Sequence, residues 1–140
     1  MILVLDASVA IKWFLQFREG EDHCQRALEI LARIDDGRVL MVQPPHFLAE
    51  MGAVLAREKP ADAMADLSDL MVVEFESVAE PAVYETACEL AVRLGQHLFD
   101  TLYHAVALHT PGATLVTADK RYFRNARNLG RITLLADFVL

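Results

Sequence analysis

Two short runs, Ile2–Leu5 and Val39–Val42, are apolar at every position, and Ala113–Val116 is apolar except for Thr114. A strand with one solvated face alternates apolar and polar residues; a strand apolar at every position is buried on both faces. Sheets covered on both sides are parallel ones, and parallel strands need helical crossovers. The intervening sequence supplies these. Ala27, Ile30, Leu31 and Ile34 repeat at the helical period within Glu21–Asp36, and Gly37 suits the C-terminal cap. Phe47, Leu48, Met51, Val54 and Leu55 mark a helix beginning near Pro45 and ending before Pro60.

Further helices are predicted from Ala7 to about Leu15, over Ala61–Leu70, from Pro81 to Gly95, from Asp100 to Thr110 and over Arg121–Leu129. Met71–Phe75 and Ile132–Leu135 complete the predicted strands. The pattern predicts one α/β domain over residues 1–140, a central parallel sheet between two helical layers. In such folds ligands bind beyond the carboxyl ends of the strands.

At 140 residues and 54% apolar composition, the chain can bury a core without disulfides. No apolar run approaches the ~18 residues of a membrane span. Asp6 interrupts the N-terminal apolar run and no basic segment precedes it, so neither a signal peptide nor membrane association is expected. Cys24 and Cys88 lack metal-site spacing, and a cytoplasmic protein with reduced thiols is expected.

The net charge of -7 hides an asymmetry. Residues 58–89 carry nine acids and one base; residues 90–140 carry six bases and three acids. Screening confines charge effects to about 8–10 Å, so a polyanion can bind the basic third. Lys120, Arg121, Arg124, Arg127 and Arg131 cluster there. Arg124, Arg127 and Arg131 recur at helical spacing, placing them on one face as candidate phosphate contacts. The acidic stretch is expected to be a solvated face, with Met64, Leu67, Leu70 and Met71 mostly in the core. Trp13 and Phe14 are expected to pack inside, and Phe17 to extend an exposed patch.

Four acids stand apart from solvated helix faces. Asp6 follows the first strand, and Asp119 follows Ala113–Val116 after Thr117-Ala118. Glu50 lies early in an apolar helix, and Asp100 opens another. Each has a structural alternative: a helix cap for Asp6 and Asp100, an exposed helix position for Glu50, a turn for Asp119. Gathered on one edge, four carboxylates would repel each other, and a hard divalent cation relieves that repulsion. Such a centre activates water and stabilises charge on a phosphodiester. His97 and His104 flank Asp100 at i−3 and i+4. They are expected as partly exposed surface residues, with metal ligation the alternative.

Several segments together resemble the PIN-domain family, and more narrowly toxins of the VapBC type. They are Val4-Leu5-Asp6-Ala7-Ser8 with Lys12-Trp13, Pro45 to Leu55 around Glu50, Asp100-Thr101-Leu102-Tyr103 with Ala105 and Ala107, and Leu115 to Phe123 around Thr117 and Asp119. The resemblance implies a three-layer α/β/α fold and an endoribonuclease dependent on Mg²⁺ or Mn²⁺. It implies Asp6, Glu50, Asp100 and Asp119 as metal-binding acids, with Thr117 and Ser8 as supporting hydroxyls. It also implies RNA as substrate, a homodimer and a cognate antitoxin. One position departs: the family often has Asn three residues after the helix acid, where this chain has Ala53.

Two other readings follow from the same residues. A phosphatase working through an aspartyl intermediate would use Asp6, but generally needs a second Asp two residues on, where Ser8 stands. A non-catalytic partner-binding scaffold would need none of the four acids.

Overall fold

The computed structural model describes all 140 residues. Five parallel strands form one sheet in the order β3-β2-β1-β4-β5. They are β1 (Ile2–Leu5), β2 (Leu40–Gln43), β3 (Glu76–Ser77), β4 (Ala113–Thr117) and β5 (Ile132–Leu134). The helices between them are α1 (Ala7–Ala10), α2 (Cys24–Asp35), α3 (Phe47–Glu58), α4 (Ala63–Leu70), α5 (Pro81–Leu94), α6 (Leu98–His109) and α7 (Lys120–Ala126). Short 3₁₀ turns, Ile11–Trp13 and Arg127–Leu129, extend α1 and α7.

The strand order fixes where the helices go. From β1 the chain steps to β2 and then β3; from β3 it returns past β1 to β4 and on to β5. Parallel crossovers are right-handed, so α1–α4 cover one face and α5–α7 the other. Accordingly α6 packs on β1, β2 and β4, while α5 packs on α6. The connection leaving β1 and the one leaving β4 run in opposite directions. Their carboxyl ends therefore part and leave a crevice, the place where open α/β sheets bind ligands. Asp6 and Thr117 stand on its two sides.

The predicted apolar strands are the core. Leu3, Val4, Leu5, Met41, Val42, Leu115 and Val116 are buried, and Trp13 seals the α1–α2 junction by donating from Nε1 to the Ala27 carbonyl at 2.9 Å. Backbone pairing of β1 with β2 covers Ile2 and Leu3 only. At Leu5 the side chain of fully buried Gln43 takes over. Its Oε1 accepts from Leu5 N at 3.0 Å, and its Nε2 donates to Leu5 O at 2.8 Å. That clamp holds the strand end immediately before Asp6.

Three predicted elements shift. The third strand is not Met71–Phe75 but Glu76–Ser77. Met71 and Val72 are exposed and continue α4 as turns, with Val72 N donating to Asp69 O and Val73 N to Leu70 O. The edge strand pairs on one side only, so it carries no apolar signature. The helix after β1 is four residues plus a 3₁₀ turn rather than a run to Leu15. α6 starts at Leu98, two residues before Asp100, because His97 caps it by accepting from Phe99 N at 3.1 Å. On α4 only Leu70 is buried; Leu67 is partly covered, and Met64 and Met71 face solvent. Phe17 is 96% exposed, as expected. No helix is long and apolar enough to cross a membrane.

Candidate metal centre

Asp6 occupies the N-cap position of α1 but makes no side-chain cap bond. Its Oδ2 instead accepts from Thr117 Oγ1 at 2.6 Å and from Ser8 Oγ at 2.9 Å. The backbone donors on the two hydroxyls agree with this direction. Thr117 Oγ1 already accepts from Asp119 N, and Ser8 Oγ from Ala118 N, each at 3.0 Å. Each hydroxyl can therefore give its proton to the carboxylate. The β4–α7 turn is thus coupled through two hydroxyls to one oxygen of Asp6, while Oδ1 makes no hydrogen bond. Burial pushes the Asp6 carboxyl up; Thr117 and Ser8 oppose this, Glu50 adds to it, and the net shift is upward.

Asp119 does act as a cap: its Oδ1 accepts from Tyr122 N at 2.9 Å at the start of α7. Its second oxygen is uncommitted. Asp100 lies in the first turn of α6, where its backbone N donates to His97 O at 3.0 Å and its carboxyl makes no hydrogen bond. Burial, then the charges of Asp6, Glu50 and Asp119, push it up to about 6, with His97 pulling the other way. Three elements thus place their acids within electrostatic reach of Asp100.

Glu50 sits in the first turn of α3 and is half-buried, not exposed. Its Oε2 accepts from Tyr103 Oη at 2.6 Å and lies 3.2 Å from His46 Nε2. That imidazole contact has the distance of an ion pair but not the angle of a hydrogen bond, and both ring nitrogens of His46 lack hydrogen-bond partners. Burial pushes the Glu50 carboxyl up, but His46 and Tyr103 outweigh it and hold it below its usual value. Burial and Glu50 together drive the Tyr103 hydroxyl far above its ordinary range, so it remains a donor.

The donor set is four carboxylates, several of their oxygens uncommitted, on one sheet edge. No three acidic, histidine or cysteine side chains are drawn into a ligand shell. The chemistry of the set fits a hard divalent cation, which prefers oxygen donors and offsets their mutual repulsion.

Of the basic residues, Lys120, Arg121 and Arg124 are exposed on α7, and Arg127 on the 3₁₀ turn. Arg131 does not share their face. α7 ends at Ala126 and the chain turns at Gly130, so helical spacing no longer applies. The Arg131 guanidinium donates to Thr110 O and Ala113 O, both at 3.3 Å, at the amino end of β4. That is the opposite edge of the sheet from Asp6.

The expectation for His104 is also corrected. It is fully buried, with Nε2 donating to Gly130 O at 2.8 Å and Nδ1 accepting from Tyr122 Oη at 3.1 Å. Burial outweighs the Gly130 bond and lowers its pKa, so it is a neutral strut between α6 and α7. His97 is the α6 cap.

Sequence reasoning passed over Gln43 and gave no role to His46 and Tyr103, which it noted only within motifs. The last two had a signal: His46 lies four residues before Glu50 and Tyr103 three after Asp100, on the acids' own helix faces. Lys12, noted only as part of a motif, is buried and donates to Glu21 Oε2, Asp22 O and Asp22 Oδ1 at 2.8, 2.9 and 3.1 Å. Burial pulls the Lys12 ammonium down, but the two acids outweigh it. This pair pins the Leu15–Asp22 loop.

The sequence profile of the PIN domain matches residues 3–129, and the chain belongs to the PIN domain family. Its fold is similar to that in the crystal structure of VapBC2 from Rickettsia felis bound to a DNA fragment from their promoter. The TM-score is 0.63 at 21% identity, over 96% of this chain and 98% of that one. It is equally similar to PAE2754 from Pyrobaculum aerophilum, with a TM-score of 0.64 at 20% identity over 97% and 90% of the two chains. Comparison with curated proteins found no match.

The burial of Asp100 among other acids has a measurable consequence. A carboxyl with a raised folded pKa favours folding when protonated and opposes it once ionised, so its penalty grows as pH rises from about 4 to about 6. Asp100→Asn in chelator should therefore be more stable than wild type at pH 8, by about 1 kcal/mol after discounting for partial solvent exposure. The difference should vanish near pH 3. Urea titrations at the two pH values read it directly; a gain independent of pH would mean that charge is not its cause.

Proposed function

We propose that this chain is a divalent-metal-dependent endoribonuclease and the toxin member of a toxin–antitoxin pair. What supports the reading is that burial and the nearby charges of Asp6, Glu50 and Asp119 push the Asp100 carboxyl up to about 6, and that Asp6 and Asp119 follow β1 and β4, whose onward connections part. These four acids would hold Mg²⁺ or Mn²⁺, which when bound activates water and offsets charge at the scissile phosphate. Thr117 and Ser8 fix the orientation of Asp6 through Oδ2. Tyr103 fixes Glu50 through Oε2, with the His46 ring beside that oxygen. Lys120, Arg121, Arg124 and Arg127 receive the phosphates on either side of the cleaved bond. The hydroxyl at Ser8 donates to Asp6 and cannot serve as the second acid of an aspartyl-phosphate mechanism.

Cleavage of a mixed RNA pool by the purified protein, with Mn²⁺, Mg²⁺ or EDTA, tests this. Products with 5′-phosphate and 3′-hydroxyl ends, formed only with the cation, are expected. Cyclic 2′,3′-phosphate ends, or equal cleavage in EDTA, would contradict it. The basic face makes a separate prediction from salt dependence. Removing one phosphate contact on single-stranded RNA should flatten the slope of log K against log salt by about 0.7. Arg121→Gln and Arg124→Gln should each do so, whereas Arg131→Gln should leave the slope as in wild type.

For the antitoxin, the best-suited surface is the apolar groove between α2 (Leu28, Leu31, Ile34) and Val72-Val73 after α4. Asp35, Asp69 and Glu74 rim it. An amphipathic helix with basic flanks matches both its apolar floor and its charge.

A further inference from the structure

His104 and Tyr122 are both buried, and neither is a candidate metal ligand. Gly130 O, 2.8 Å from His104 Nε2, can only accept, so Nε2 carries the proton of the neutral ring. Nδ1 is then the acceptor, and Tyr122 Oη donates to it at 3.1 Å. The two rings meet edge-on, with centroids 5.9 Å apart and planes at 70°. Burial, then the charges of Asp100, Asp6 and Asp119, push the Tyr122 hydroxyl up, so it stays protonated. Unlike Tyr103, Tyr122 gives its proton to an imidazole and not to a site carboxylate.

The pair sits next to two of the acids along the chain. His104 stands four residues after Asp100 on α6, one turn along the same face. Tyr122 stands three residues after Asp119, and its backbone N donates to Asp119 Oδ1 at 2.9 Å. α6 packs on β1, β2 and β4, whereas α7 packs on β5. The bond from Tyr122 to His104 is the one hydrogen bond that joins the two helices. Asp100 and Asp119 are like charges carried by separate elements, and Asp119 is among the charges that push Asp100 up. Their repulsion favours a wider separation of α6 from the start of α7, and the bond one turn away opposes it.

We infer that His104 and Tyr122 are positioning residues that hold Asp100 and Asp119 close enough to share one divalent cation, acting through α6 and α7 rather than as ligands. This rests on the metal-dependent reading and deepens it, because it assigns part of the cation affinity to a bond outside the four acids. Acids already held together need less ordering when the cation arrives, and that preorganisation appears as affinity.

The test is Mn²⁺ titration calorimetry on wild type, Tyr122→Phe, His104→Leu and His104→Asn, with urea titration verifying that each is folded. Tyr122→Phe removes Oη and keeps the ring. Leucine and asparagine at position 104 both lose the bond to Gly130 O. Asparagine Oδ1, however, stands as many bonds from the backbone as Nδ1 and can accept from Tyr122. Residues that orient metal ligands typically change metal affinity by roughly 10- to 100-fold. Tyr122→Phe and His104→Leu should therefore weaken Mn²⁺ binding by about tenfold, while His104→Asn keeps it near wild type. RNA cleavage by Tyr122→Phe should recover at saturating Mn²⁺. A strut that only supports the fold would lower stability and leave the affinity of the folded protein unchanged. Wild-type Mn²⁺ affinity in Tyr122→Phe therefore overturns the positioning role and leaves the metal centre standing. If wild type binds no Mn²⁺, the metal centre fails and the positioning role fails with it.

Discussion

Asp6→Asn should reduce metal-dependent RNA cleavage by at least about a hundredfold without unfolding the protein. The bound comes from comparison: residues that merely support metal ligands typically cost 10- to 100-fold when replaced, and Asp6 would itself be a ligand. The fold should survive because asparagine matches the shape of aspartate and its amide oxygen can still accept from Thr117 and Ser8. What it lacks is charge. Removing a buried carboxylate whose pKa is already raised also relieves a penalty, so the variant should be no less stable than wild type near neutral pH in chelator. Thr117→Val separates the two roles. It keeps the acid but removes the hydroxyl that accepts from Asp119 N and donates to Asp6, and should fall within the 10- to 100-fold range. Initial rates on one RNA substrate at saturating Mn²⁺, with circular dichroism on the same samples, give both readings. An Asp6→Asn enzyme as active as wild type would remove Asp6 from the centre.

Gln43→Leu should be the most destabilising of the substitutions considered, at about 3 kcal/mol. The volume change is small, so packing is not the reason. Leucine offers nothing to Leu5 N or Leu5 O, and both groups are buried in the middle of the sheet where water does not replace the amide. Each unsatisfied buried backbone group costs about 1–3 kcal/mol. Gln43→Glu distinguishes this from simple loss of polarity, since a carboxylate accepts from Leu5 N but cannot donate to Leu5 O. Its unpaired carbonyl and buried charge should make it at least as unstable as the leucine variant. Chemical denaturation measures the difference. A stability within 1 kcal/mol of wild type would show that the carboxyl end of β1 is held by the β4 ladder alone.

Much of the fold was legible because the central strands are apolar on both faces. β1, β2 and β4 lie where their apolar runs place them, and Gly95, at φ 61°, ends α5 as its sequence position suggests. β3 was misplaced for the converse reason. An edge strand of two exposed residues has no pattern, whereas the apolar stretch before it belongs to turns and to the wall of the groove beside α2. The end of α7 was missed because arginine spacing cannot reveal a helix that stops at Ala126. This misplaced Arg131.

At the candidate site, the positions of the acids relative to strand ends and helix starts follow from topology and were readable. Their hydrogen bonds were not. Asp6 and Asp119 both occupy N-cap positions, yet only Asp119 caps its helix; the difference is that Ser8 and Thr117 turn the Asp6 carboxylate toward the crevice. Gln43 is invisible for a similar reason, since a lone polar residue ending an apolar strand does not announce which backbone groups it satisfies.

Titration calorimetry of Mn²⁺ into the purified protein, alongside Asp6→Asn and Asp100→Asn, tests the central claim that acids from separate elements form one cation site. Saturable binding by wild type, lost in both variants, is the predicted result. Undiminished binding by either variant, or no binding by wild type, would contradict it.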